Sequence, residues 1–316
     1  MCRFLSSLVA ISVAIFGTSC SKGKWELVSS AKFADAAVIL SLEFFDSKHG
    51  FAATPFGILE TRDGGRTWAD RGEAADDFVF QFLQFQDPLN GWAFGAAFEG
   101  GAKVSGVLST RDGGATWVVR ESGGSGLITA AELCSSQFSL AAAGDSLLVS
   151  TDSGFHWPTK FTLMGPDAAL WGVTCTGPSG AVAVGRNGKV VRSSDAGETW
   201  DAVEVPTSSH LTRAYFDGEL TWTVGLQGTV LVSSDRGSTW QSRSIPSTES
   251  LFDIKFLGPR GWIVGSRGVI LESTDHGSTW ALVPSPVTSD LATIFVLDPN
   301  RVWIGGDGFT VLKRNS

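Results

Sequence analysis

The chain has 316 residues, 43% of them apolar, with 38 glycines, 12 tryptophans and one tyrosine. This balance excludes an intrinsically disordered chain and points to many short strands joined by tight turns. The formal net charge of −8 is spread without a long run of either sign, so the basic footprint of a nucleic-acid binder is missing. At this length one large all-β domain is as ordinary as two average ones, and internal periodicity decides between them.

Residues 1–20 stand apart from the rest. Arg3 precedes the apolar run Leu8 to Phe16, broken only by Ser12, and Gly17-Thr18-Ser19-Cys20 follows. A short basic region, an apolar stretch too short to span a bilayer and small residues at a cleavage point make an export signal, leaving residues 21–316 as a single domain. The ending resembles a bacterial lipoprotein signal, with Gly17 where that pattern prefers Leu, and the resemblance implies lipidation of Cys20; ordinary secretion is the alternative. The expected location is periplasmic or otherwise extracytoplasmic, anchored to the cell envelope through the lipid.

From residue 60 onward one phrase recurs six times. It reads "ETRDGGRTW" to Trp68, "STRDGGATW" to Trp117, "STDSGFHW" to Trp157, "SSDAGETW" to Trp200, "SSDRGSTW" to Trp240 and "STDHGSTW" to Trp280. Its aspartates are Asp63, Asp112, Asp152, Asp195, Asp235 and Asp275. A period of 40 to 49 residues is that of propeller blades. Within one period "SLFDIKFLG", "GWIVG", "GVILEST" and "STWALVP" are four β-branched and aromatic runs bounded by turn residues, hence four strands. The predicted fold is an all-β, seven-bladed propeller with four-stranded antiparallel blades. The seventh blade begins at "DLATIFVLDPNRVWIGGDGFTVLKRNS" and supplies three strands. Lys24-Trp25-Glu26-Leu27-Val28 aligns with Thr279-Trp280-Ala281-Leu282-Val283, so the mature N-terminus supplies the fourth and closes the ring.

Each box falls between the third and fourth strands of its blade. The Asp is expected to accept bonds from backbone N–H groups one or two residues on, and the Gly two residues after it to take a positive φ. The Trp packs under the turn and satisfies its indole N–H locally. The box aspartates and tryptophans are therefore read as structural.

Further irregularities follow in chain order. The step from Trp92 to Asp112 is seven residues longer than that from Trp262 to Asp275, which places extra residues over 98–105, including Lys103, in the second-to-third strand turn; they read either as an inserted loop suited to recognition or as a slightly longer hairpin. Cys134 and Cys175 end similar apolar stretches and read either as buried thiols or, if their Cα atoms approach within about 7 Å, as a disulfide. Second-to-third strand turns are predicted at 185–188, 225–228, 265–268 and 305–308, on the rim away from the boxes. Arg186 and Arg267 at their centres make a candidate basic surface for a partner.

The boxes resemble the Asp-box, or bacterial neuraminidase, repeat S-x-D-x-G-x-T-W, with Phe155-His156 the main departure. With phrases such as Gly261-Trp262-Ile263-Val264-Gly265, residues 24–316 are similar to the photosystem II assembly and stability factor family. That resemblance implies an exported, non-enzymatic scaffold, monomeric, that binds a protein partner, such as a membrane or envelope complex, through a basic surface; Arg186, Arg267, Arg213 and Lys103 are the candidates. The alternative is a glycan-binding propeller or a sialidase-like glycoside hydrolase. A sialidase needs a tyrosine nucleophile with a partner glutamate and three arginines; here Tyr215, Arg213 and Glu219 are the nearest match. His49, His156, His210 and His276 lack metal-ligand spacing, and neither a metal nor a cofactor is expected.

Overall fold

The computed structural model describes residues 24–29, 38–71, 78–99, 102–122, 126–135, 137–165 and 167–314. The export segment 1–20, with Cys20, lies outside these. Seven sheets form the molecule. Blade 1 comprises Ser41–Phe44, Gly50–Thr54, Gly57–Thr61 and Ala69–Asp70; blade 2 Phe78–Phe85, Gly91–Glu99, Ala102–Thr110 and Val118–Ser122; blade 3 Ile128–Ser135, Phe138–Ala143, Ser146–Ser150 and Thr159–Thr162. Blade 4 comprises Leu170–Cys175, Ala181–Gly185, Val190–Ser193 and Asp201–Ala202; blade 5 Leu211–Phe216, Thr221–Gly225, Val230–Ser233 and Gln241–Ser242; blade 6 Leu251–Leu257, Arg260–Gly265, Ile270–Ser273 and Ala281–Leu282. Blade 7 joins Leu291–Asp298, Arg301–Gly306 and Thr310–Arg314 to the N-terminal strand Trp25–Ser29.

The first strand of each blade touches the first strands of both neighbours, and that of blade 7 touches that of blade 1, so the ring is closed. Second strands such as Ala181–Gly185 are buried throughout, whereas fourth strands such as Asp201–Ala202 are exposed. Continuous apolar runs are thus explained by sheets covered on both faces. The core is divided among the seams between blades. Trp222 and Val232 of blade 5 pack with Ile254 and Ile263 of blade 6, and Trp262 and Ile270 of blade 6 with Ile294 and Ile304 of blade 7. No blade buries its apolar faces alone, which makes ring closure a condition of stability.

Closure takes the predicted form. Trp25 pairs with Arg314, Glu26 with Lys313 and Leu27 with Leu312 in antiparallel register. The Trp25 indole is buried and donates to Glu272 Oε1 of blade 6 at 3.2 Å. Arg314 pairs with the same Glu272 and places its guanidinium 5.9 Å from the Trp25 ring centre. The N-terminal strand is therefore fixed both within its own sheet and across a seam.

Two alternatives left open by the sequence are decided by the structure. The extra residues of blade 2 that are described lengthen the hairpin: Gly91–Glu99 and Ala102–Thr110 pair without a break from Gly91↔Thr110 to Glu99↔Ala102, with Lys103 opposite Phe98. Extending a hairpin satisfies every added backbone group, which a loop does not. Cys134 and Cys175, left open between thiols and a bridge, form a disulfide with Cα atoms 5.9 Å apart. It joins the first strands of blades 3 and 4, adding a covalent link across one seam.

Candidate functional site

Six boxes line one rim. In the last, Asp275 Oδ1 accepts from the Ser273 hydroxyl at 2.8 Å and the Thr279 amide at 2.9 Å, while Oδ2 accepts from the Thr279 hydroxyl at 2.6 Å. Ser273 Oγ in turn accepts from the Gly277 amide at 2.9 Å. The same set recurs at Asp63, Asp112, Asp195 and Asp235. The carboxylate thus reaches the amide four residues on, and at Asp63 and Asp152 also the one three residues on, farther than the one or two expected, because the left-handed residues after it fold the chain back over its side chain. In the third box His156 stands for the threonine and puts its ring Nδ1 against Asp152 Oδ2.

These donors hold the carboxyl groups of Asp112, Asp195 and Asp275 down at about 2; the threonine hydroxyl acts most strongly, then its amide. Trp68, Trp157, Trp200 and Trp240 donate from the indole to the glycine carbonyl of their own box at 2.9–3.1 Å. The rim is also tied to the first-to-second strand turns: the Gly64 amide donates to Lys48 O, Gly113 to Leu89 O and His276 to Pro259 O, each at 2.9 Å. The box is a clamp between blades as well. Trp303 of blade 7 donates to Gly64 O at 3.1 Å, and Trp92 of blade 2 to Gly154 O at 3.3 Å.

The opposite rim carries the second-to-third strand turns and the links between blades. Asn187-Gly188, Gln227-Gly228 and Arg267-Gly268 are paired left-handed residues closed by a bond from the amide of the next residue to the carbonyl before them, as in a type I′ turn. In blade 7 the turn sits one residue later than predicted, over 306–309, with Gly308 and Phe309 left-handed. Neighbouring links brace these turns: Gly188 donates to Ser209 O at 2.8 Å, Gly228 to Glu249 O at 2.9 Å, and the Arg267 amide to Asp290 Oδ1 at 2.9 Å.

Arg186 and Arg267 lie on this rim, separated by blade 5 and its Gln227. Each has a carboxylate neighbour: Arg186 pairs with Asp167 at 3.2 Å, Arg267 with Glu249 at 3.1 Å. The expected basic patch is thus a series of ion pairs, of which Arg267, 76% exposed, projects farthest. Arg213 is on the first strand of blade 5, inside the ring, and is not gathered with them. Lys103 lies in the long hairpin of blade 2.

The channel holds polar groups that the sequence reading missed apart from Arg213 and Tyr215. Cross-strand pairing sets Glu43, Tyr215 and Lys255 at equivalent positions of their first strands, opposite Phe51, Trp222 and Trp262. Two residues earlier on each strand stand Ser41, Arg213 and Asp253, facing the same way. All of them except Asp253 line a cavity of about 230 Å³, together with Phe82 and Thr293. Arg213 Nε meets Asp253 Oδ1 at 3.2 Å and its guanidinium lies 5.1 Å from the Phe82 ring centre. Asp253 also accepts the amides of Ile254 at 2.9 Å and Ile294 at 2.8 Å. The Lys255 ammonium sits 4.9 Å above the Tyr215 ring, and the Tyr215 hydroxyl donates to Phe256 O at 3.1 Å. Burial pushes the Glu43 carboxyl up to about 8 against the pull of Lys255 and Arg213, and raises Glu132 as well. Aligning "SLEF", "TAAELC", "LTRAYF" and "FDIKF" by their second-strand partners would have exposed this polar tier, since an apolar position became charged in several repeats.

Residues 193–304 match the family model of photosynthesis system II assembly factor YCF48. The chain is similar to that family, as its box phrases implied. Among solved structures, one described as YCF48 bound to D1 peptide superposes with a TM-score of 0.71 at 22% identity, covering 98% of this chain and all of the other. YCF48 from Cyanidioschyzon merolae gives 0.70 at 18% identity, over 92% of this chain and 98% of that one. A GH74 xyloglucanase from Xanthomonas campestris gives 0.71 at 13% identity, over 92% of this chain but 53% of the enzyme. Nothing among curated proteins matches. At these identities the superpositions establish the shared propeller fold. The YCF48 family match spans the end of blade 4 to the second strand of blade 7, so it contains Arg213, Tyr215, Lys255 and Arg267 but neither Arg186 nor Lys103.

Proposed function

We propose that this protein is an exported, non-enzymatic propeller that binds a protein partner, in the manner of an assembly factor. The observation that carries this reading is the match of blades 5–7 to the YCF48 assembly-factor family, on a fold whose solved relative holds a peptide. The channel chemistry supports it. Arg213 is committed to Asp253, and the Tyr215 hydroxyl, which burial pushes up to about 12, donates to a backbone carbonyl. A tyrosine so held is a poor nucleophile at neutral pH. The docking surface in this reading is the rim opposite the boxes, with Arg186, Arg267 and the blade 2 hairpin bearing Lys103. Export, and lipidation at Cys20, fit the Cys134–Cys175 disulfide, since such bridges persist in oxidising compartments.

The test is quantitative capture from the native envelope by the anchored protein. Arg186→Ala with Arg267→Ala is expected to lose a partner that the parent retains; equal capture by both would remove this rim from consideration. Metabolic labelling with palmitate, lost in Cys20→Ala, checks the anchor.

A glycan-processing role has one observation in its favour: Glu43, held protonated at neutral pH, has the character of a general acid, on a fold shared with the GH74 xyloglucanase. Hydrolysis of a polysaccharide panel that vanishes in Glu43→Gln would favour it over partner binding.

A further inference from the structure

Blades 1 and 2 place the same two arginines around different centres. In blade 1 the buried Glu60 takes Arg71 through Nε and Nη2 at 2.8 and 2.6 Å on Oε2. Its Oε1 receives Arg62 at 2.5 Å and His49 at 2.8 Å. Cross-strand pairing sets Glu60 opposite Phe51 and Ser109 opposite Trp92, the matching second-strand positions. Arg111 and Arg120 stand after Ser109 as Arg62 and Arg71 stand after Glu60, so blade 2 retains both cations and replaces the carboxylate with a hydroxyl. Arg120 Nε donates to Ser109 Oγ at 2.8 Å, eleven residues back, the same separation as Arg71 from Glu60.

Both guanidinium groups lie against one aromatic ring. Phe155 from the third box, where the repeat departs most from its pattern, holds Arg111 at 5.0 Å and Arg120 at 4.8 Å from its ring centre. Among the described residues neither has a carboxylate partner. Arg111 is exposed, Arg120 and Phe155 half-buried, so the pair faces solvent at the seam of blades 2 and 3. Stacking on a ring fixes a guanidinium plane while leaving its N–H edge for bidentate contact with an oxyanion.

We propose that Arg111 and Arg120, set on Phe155, form a carboxylate-binding site that docks an acidic side chain of a protein partner. Blade 1 supplies the argument for a carboxylate: there the same two arginine positions close on a glutamate, one through the fork of Nε and Nη2 and the other through its end. The site is on the fourth-strand side of blade 2, away from the Arg186 and Arg267 turns, so the two surfaces can be tested apart.

The experiment measures binding of a fluorescent tetraglutamate peptide and its tetraglutamine counterpart to the purified protein at low salt. The parent is expected to prefer the acidic peptide. Arg111→Ala with Arg120→Ala should weaken that binding at least tenfold. Ser109→Glu, which rebuilds the arrangement of blade 1 inside blade 2, should weaken it as much while leaving the thermal midpoint equal or higher, so that the loss is not unfolding. Binding indifferent to Ser109→Glu and to the double arginine variant would overturn the proposal. So would acetate or inorganic phosphate perturbing the Arg111 and Arg120 side chains in NMR spectra while the acidic peptide does not compete, since the site would then take small anions only.

Discussion

The two rims of the ring solve the same problem, reversing a strand, with opposite use of side chains. On the box rim the turn's polar side chains point inward to its own backbone: Asp275, Ser273 and Thr279 satisfy one another and the amides beneath them. On the other rim the turns close by backbone bonds alone, and the central residue, Asn187, Gln227 or Arg267, varies from blade to blade. A turn built from its own side chains offers a partner only the positions the box leaves variable, such as Arg111, whereas one built from backbone leaves its central side chain available. Repetition on the first rim and variation on the second are the same physical fact seen in sequence.

This contrast explains how much was legible beforehand. Blade number, ring closure and the place of the boxes followed from the repeat, because each copy must bury two faces against neighbours and so carries the same apolar spacing. Trp25 was legible as the closing strand for the same reason. What stayed open was whatever depends on pairing and on distance in space. The seven extra residues in blade 2 read equally as a loop or a longer hairpin until Gly91–Glu99 and Ala102–Thr110 are seen to pair in full. The Cys134–Cys175 bridge depends on where two first strands stand side by side. The absence of a carboxylate at Ser109 shows only when blade 2 is laid on blade 1, and the polar tier of the channel only when first strands are aligned by their partners.

The largest expected effect comes from breaking the box rim at its apolar end. Trp280 is buried against Trp222 and Phe256 of the seam between blades 5 and 6, and Trp280→Ala should cost about 3–5 kcal/mol of stability. Chemical denaturation measures it, and partner capture by the fraction that remains folded should be unaffected. A result near zero would mean that the seams are not the unit of stability.

Removing the bridge is of comparable size. The Cys134 and Cys175 positions enclose a loop of 41 residues in sequence separation, and Cys134→Ala with Cys175→Ala should destabilise by about 2–4 kcal/mol on the chain-entropy argument. The thermal midpoint of this variant, compared with that of the parent under oxidising and reducing conditions, checks it: the parent should move toward the variant on reduction, and the variant should not move.

Acid probes the boxes more gently. Asp112, Asp195 and Asp275 ionise near 2 in the folded protein and near 3.8 when free. A lowered carboxyl contributes stability above its unfolded pKa, and that contribution fades as pH falls toward the folded value. Stability should therefore drop between about pH 4 and pH 2, and Asp275→Asn should flatten that drop. Glu43 in the channel acts in the opposite sense. Its pKa is raised to about 8, so its ionisation penalises the folded state as pH climbs from about 4.5 to 8, with Lys255 and Arg213 opposing. Glu43→Gln should raise the thermal midpoint more at pH 8.5 than at pH 5; the reverse order would show that Lys255 compensates the carboxylate fully.

The smallest effect sharpens the contrast most. Arg267 holds φ at 54°, a left-handed conformation that costs a side chain about 1 kcal/mol or more. Blade 4 places Asn187 at the matching position, with φ 53° and its own amide bonded to the neighbouring link. Asn tolerates this region because its short side chain bonds locally. Arg267→Asn should therefore stabilise the protein by about 0.5 kcal/mol, despite losing the exposed pair with Glu249, which is worth little in water. If the same substitution weakens partner capture, the strained arginine is held there for binding and the variable rim is the working surface. If capture is unchanged while stability rises, Arg267 contributes to neither, and the opposite rim loses its best-placed cation as an argument for function.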